Sequence, residues 1–245
     1  MPKLLVITPH PDDEAYTAGG LISLATAAGW DAVLCCATRG ERGERFDGGP
    51  LDPQALAVTR EAELRAACEI LGIGTLELWR LPDGGLAEEI VELRHLAVDA
   101  VGRHHPDFVV TMGADGVYGH PDHLALNQAV RASWMMLPAS RLCPLLFFAF
   151  PPGLFVPQAE RCRAAGVISG EAPDPGIADP HYTVSIGPVG ERKLRAIGAH
   201  RSQLPGGDPR ALFPGAIVDH LLETEGYHDA EGDPDPAVTA LFATF

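Results

Sequence analysis

Two histidine-proline steps carry the residues best suited to chemistry, "HPDD" at 10–13 and "HPDH" at 120–123. Two imidazoles and a carboxylate, with one position open, form a familiar ligand set for catalytic zinc. His10, Asp13 and His123 would complete such a set, leaving Asp12 and His120 free beside the ion. A water on that ion would be acidified, and Asp12 would take its proton as the water attacked a carbonyl. His120, protonated and held at its other nitrogen by Asp122, would stabilise the oxyanion and protonate a leaving amine. Iron(II) suits the same donors.

The elements around these steps explain how they could meet. Apolar runs "KLLVIT", "DAVLCCAT", "TLELWRL", "DFVVTM" and "LLFFAF" alternate with helical patterns through residue 150. Continuously apolar strands, each followed by a helix, indicate a parallel sheet covered on both faces. The expected fold is α/β, a Rossmann-like three-layer sandwich with a mostly parallel sheet in the order 3-2-1-4-5 and a C-terminal extension. Proline belongs in a helix's first turn, so each His-Pro step marks a strand-to-helix corner. With that order the sheet reverses between strands 1 and 4, where ligands bind, and the two motifs should face each other across one crevice. A nucleotide would need a glycine-rich turn after the first strand, and "PHPDD" stands there instead.

The back third reads more weakly. "FPPGLFVPQ" and "GEAPDPGIADP" read as loops, "HYTVSI" as a strand, "GERKLRAIGAHRSQ" as a helix and "AIVDHLLETE" as a last helix. We expect one domain over 1–245, a core of 1–150 elaborated by 151–245. The glycine-rich "RGERGERFDGGPLDP" after the second strand begins as a wall of the crevice.

Composition narrows the partners. Eighteen basic against 33 acidic residues give a formal charge of −15, which repels phosphate backbones and anionic headgroups, so neither nucleic acid nor a membrane is expected. No apolar run approaches a membrane span or a signal-peptide core. Five cysteines, at 35, 36, 68, 143 and 162, have no metal-finger spacing and suit a reduced, cytoplasmic protein.

Bland readings compete with the chemical ones. An acidic helix start would account for one or two of Asp12, Asp13 and Glu14 but not for His10 beside them. Arg60 and Glu63, three apart on the helix expected from Pro53 to Leu71, could be a surface ion pair.

"PHPDDE" with a later "YGHPDH" resembles the LmbE/PIG-L family of zinc-dependent de-N-acetylases, and the resemblance extends to "TRGERG", "TREAE" and "AHRSQ". It implies His10, Asp13 and His123 as zinc ligands, Asp12 as general base, and His120 as oxyanion-stabilising acid supported by Asp122. It further implies that Tyr118 closes over the substrate, that Arg60 contacts the sugar with Glu63 as its structural partner, and that Glu41 and His200 occupy recurring site positions. The implied substrate is a small N-acetylglucosamine-type conjugate. Related enzymes form trimers or hexamers, and no sequence signature decides whether this chain is a homo-oligomer. The rivals are a zinc amidase on a thiol conjugate or other acyl amine, and a metal-binding module without turnover, against which Asp12 and His120 count.

Overall fold

The computed structural model describes residues 1–138, 143–169 and 176–244. Residues 170–175 of the loop expected at "GEAPDPGIADP" lie outside the described residues. The chain opens on β1 (Lys3–Thr8), whose Leu4, Leu5, Val6 and Ile7 are buried on both faces of the sheet. β1 pairs in parallel with β2 (Asp31–Cys36) on one side and β4 (Phe108–Thr111) on the other. β3 (Thr75–Leu78) extends the sheet beyond β2, and β5 (Leu145–Ala149) extends it beyond β4. The expected order 3-2-1-4-5 is the observed one, so the "HPDD" and "HPDH" corners leave neighbouring strands at the point of reversal.

α1 (Asp13–Ala27) and α2 (Pro53–Leu71) cover one face, and α3 (Ile90–His104) packs with a long helix that starts at the second His-Pro step. α2 begins where Asp52 accepts from Ala55 N ahead of Pro53, and ends at Gly72 with φ +76, a conformation that favours glycine. α4 (Gly116–Gly119) is a single distorted turn with Val117 at φ +66, and α5 (Pro121–Trp134) follows.

The C-terminal part departs from expectation. The proline-rich stretch read as a loop, 150–158, runs at its end into α6 (Val156–Ala164), with Pro157 in the helix's first turn, where the missing N–H breaks no bond. β6 (Tyr182–Ser185) and α7 (Gly190–Ala199) match their expected places. The expected last helix shrinks to α8 (Ile217–His220), because Thr224 and Glu225 instead open β7 (Thr224–Asp229). β7 joins the sheet antiparallel between β5 and β6, giving the full order 3-2-1-4-5-7-6, and α9 (Pro236–Phe242) closes the chain. α7 packs on α1 and α2.

Candidate metal centre and active site

The two corners meet. Ring centroids of His10 and His123 stand 5.3 Å apart, and His120 lies 4.9 Å from His10 and 4.8 Å from His123. Asp13 Oδ2 sits 3.3 Å from His10 Nδ1, and its Oδ1 sits 3.6 Å from His123 Nε2. Asp13 thus bridges His10 and His123 through its two oxygens, and two imidazoles with a carboxylate are donor types that fit a divalent ion of the zinc class. Among the described residues, two sets of possible ligand atoms lie within 4.8 Å of one another, His10 with His120 and His123, and His10 with Asp83 and Asp122, so His120 comes closer than a free-standing acid would.

His10 is held from behind. Its Nε2 lies 3.1 Å from Asp122 Oδ2 and 3.2 Å from Asp83 Oδ1, which leaves Nδ1 for the Asp13 side. Burial opposes a charge on this imidazole, but hydrogen bonds to Asp122, Asp13 and Asp83 more than offset it and hold its pKa well above the usual value. A pocket that favours positive charge at His10 also favours a bound cation. Burial would raise Asp13, yet His123 and His10 beside it bring its carboxyl down to about 2.

The Asp122 carboxylate holds His10 and not, as expected, His120. Both oxygens of Asp122 are taken, by His10 and by the backbone N–H groups of Gly84 (2.7 Å) and Leu86 (3.1 Å). His120 instead accepts the backbone N–H of Asp122 at Nδ1, 3.2 Å, as the cap of α5. An accepting Nδ1 puts the neutral ring's proton on Nε2. Burial, with His123 and His10 nearby, lowers the imidazole to about 3. The bond at Nδ1 and burial both favour the neutral imidazole with its proton on Nε2.

Asp12 occupies a backbone conformation, φ 112 and ψ −31, that costs a residue with a side chain about 1–3 kcal/mol. Its neighbours enforce it: Asp12 N donates to Glu14 Oε2 at 3.0 Å, and its Oδ2 accepts from Arg60 Nη2 at 3.0 Å. Burial pushes the Asp12 carboxyl up to about 6, with Arg60 pulling the other way.

A family model described as GlcNAc-PI de-N-acetylase matches residues 5–134, which include both corners. The chain belongs to the GlcNAc-PI de-N-acetylase family. It is 32% identical to the probable N-acetyl-α-D-glucosaminyl L-malate deacetylase 2 of Bacillus cereus, over 82% of this chain and 83% of that one. It is 35% identical to the 1D-myo-inositol 2-acetamido-2-deoxy-α-D-glucopyranoside deacetylase of Kineococcus radiotolerans, over 98% of this chain and 82% of that one. Among solved structures, the 4-carboxy-2-hydroxymuconate hydratase of Pseudomonas putida superposes with a TM-score of 0.65 at 19% identity, covering 96% of this chain and 98% of that one. That likeness concerns the fold alone, and a shared fold does not fix the chemistry of a site.

In this member of the GlcNAc-PI de-N-acetylase family the centre lies in a cavity of about 460 Å³, lined also by Tyr16, Tyr118, Phe150, Phe155 and Phe213. Tyr118 stands over the imidazoles, its ring 5.6 Å from His123 and 5.9 Å from His120. Arg60 lines the cavity, but its guanidinium is bound to Gly40 O, Pro11 O and Asp12, which makes it first a positioning group for Asp12. Glu41, Glu63 and His200 do not line it. Glu41 accepts from Asp83 N, and Glu63 accepts from Ser202 N and Oγ, 2.7 Å each, rather than pairing with Arg60. His200, without exposed surface, bonds Glu14 Oε1 at 2.8 Å behind α1. These three brace the surroundings of the cavity, their side chains turned to backbone donors and buried partners. Asp83 escaped the sequence reading, and Glu14 entered it only as part of an acidic helix start. Glu14 is the fifth residue of "HPDDE", a signal that could have marked it, whereas Asp83 lies in the loop that follows β3.

Proposed function

We propose that this chain is a zinc-dependent N-deacetylase of N-acetylglucosamine-type conjugates, working in the cytoplasm. The observation that carries this reading is the convergence of His10, Asp13 and His123 on the floor of one cavity with the strained, high-pKa Asp12 beside them. Five free cysteines support a reducing compartment, and among the described residues no helix is long and apolar enough to cross a membrane.

A zinc ion at this centre supplies Lewis-acid polarisation of the acetamide carbonyl and a more acidic water. Asp12 receives the proton of the attacking water, and its raised pKa suits that exchange near neutrality. His120 donates from Nε2 to the carbonyl oxygen as negative charge grows there. The proton held on Asp12 then passes to the departing nitrogen, the C–N bond breaks, and acetate and a free amine leave. Asp122 and Asp83 keep His10 oriented throughout. Tyr118 and the aromatic wall exclude water from the sugar's apolar face.

Acetate release from N-acetylglucosaminyl malate, N-acetylglucosaminyl inositol and free N-acetylglucosamine tests the reading directly. Asp12→Asn should lower turnover at least about a hundredfold while zinc content stays at one ion per chain. Undiminished turnover in that variant rejects the mechanism.

A further inference from the structure

We propose that the site selects a glucosaminide whose aglycone carries a carboxylate, and that Arg42 is the residue that binds it; this rests on the deacetylase reading above. Three cations line the cavity, Arg42, Arg60 and Arg161. Arg60 is spent on Asp12 and two carbonyls. Arg161 is spent on Glu44 Oε2 at 2.9 Å and Leu212 O at 3.0 Å. The Arg42 guanidinium has no hydrogen bond or ion pair among the described residues. The carboxylates nearest to it in sequence are committed elsewhere, Glu41 to Asp83 N and Glu44 to Arg161. In a chain with 33 acidic and 18 basic side chains, a cation left unpaired at the mouth of the site is conspicuous.

Arg42 is exposed, yet its backbone and stem are built into the supporting structure of the metal centre. The backbone N–H of Arg42 donates to Asp83 Oδ2 at 2.7 Å, and the other oxygen of Asp83 faces His10 Nε2 at 3.2 Å. The stem of Arg42 lies on Gly84, where an added Cβ would come within 3.2 Å of its Cδ and Nη1. Gly84 N in turn donates to Asp122 Oδ2 at 2.7 Å. The two carboxylates that orient His10 thus also fix where Arg42 leaves the backbone and what its stem rests on. A guanidinium fork on the wall of the cavity matches a carboxylate through two parallel hydrogen bonds, whereas a neutral polyol leaves its charge uncompensated.

Zinc-loaded full-length protein is assayed for kcat/KM on N-acetylglucosaminyl malate, N-acetylglucosaminyl inositol and phenyl N-acetylglucosaminide, with calorimetric titration of the corresponding free amines. The wild type should prefer the malate conjugate in both measurements. Arg42→Ala should lower the malate-to-inositol ratio about 10- to 100-fold, chiefly through KM and Kd, with Arg42→Glu lower still and Arg42→Lys in between. If the deacetylase reading itself fails, no conjugate releases acetate, yet the calorimetric preference and its loss in Arg42→Ala still support the binding role. A wild type with no calorimetric preference for the malate compound overturns the proposal. So does a ratio that Arg42→Ala leaves unchanged, or a dominant preference for the phenyl glycoside that is the same in both proteins.

Discussion

Asp83 shows how one side chain can serve two tasks at the floor of a site. Its Oδ1 supports His10 and its Oδ2 anchors the loop that carries Arg42, and hydrogen bonds from His10 and Arg42 N outweigh burial in keeping its carboxyl well below the ordinary range. Losing such an outer partner typically costs a metal site 10- to 100-fold in affinity. Asp83→Asn should therefore weaken zinc binding about tenfold or more in competition with a chelator at fixed pH. Unchanged affinity would make Asp83 a loop anchor only. At this scale the sequence was legible where residue types were unusual in combination. His10, Asp12 and Asp13 stood out because no capping requirement asks for an imidazole among carboxylates. Asp83 did not, since "LPDGG" is ordinary turn chemistry. Which imidazole Asp122 would hold was beyond a one-dimensional reading, because His10 and His120 are both available and only the loop at Gly84 and Leu86 decides between them.

Elements were legible in proportion to their apolar continuity. β1, β2, β4 and β5 are unbroken hydrophobic runs buried on both faces, so order and direction followed from topology rules. β7 hid because it buries Glu225, Tyr227 and Asp229 on its inward face, the reverse of the usual polar-out pattern. Glu225 is fully committed: it accepts from Gly20 N (2.7 Å), Leu21 N (2.8 Å) and Tyr227 Oη (2.7 Å), and pairs with Lys193 Nζ at 2.7 Å. The approach of β7 to α1 is close enough that a Cβ on Gly20 would come within 2.8 Å of Glu225 Oε1. Removing one partner of a buried ion pair leaves the other uncompensated, a loss of about 3–5 kcal/mol. Glu225→Gln should destabilise the chain by about that amount in urea unfolding, and Lys193→Met combined with it should recover a substantial part. A Glu225→Gln protein as stable as the parent would mean that Lys193 sheds its proton at little cost. Burial does lower the Lys193 pKa, with Glu225 opposing, so the two variants separate the possibilities.

On the scale of the whole molecule, charge and architecture pull in different directions. The sheet runs from β3 at one edge to β6 at the other, and the back third supplies both the outer strands and the aromatic side of the cavity through Phe155 and Phe213. Folding brings a chain of formal charge −15 into this compact volume, and 33 acidic groups cannot all find partners among 18 basic ones. Exposed pairs such as Arg210–Asp219 and Arg161–Glu44 contribute at most about 1 kcal/mol each. The unpaired excess repels itself over distances that salt screens, about 30 Å at 0.01 M but only about 8 Å at 0.15 M. Two effects of salt therefore compete: weakening of the few surface pairs, and relief of the larger negative surplus. The surplus should win, so Tm at pH 8, where ordinary histidines are neutral, should rise between 10 mM and 300 mM sodium chloride. Repeating the scan with Arg210→Ala, which removes one exposed pair, should leave that rise in place. A Tm that falls with salt would show that the ion pairs outweigh the net repulsion, and would locate the stability of this fold in its surface charges rather than in the buried sheet.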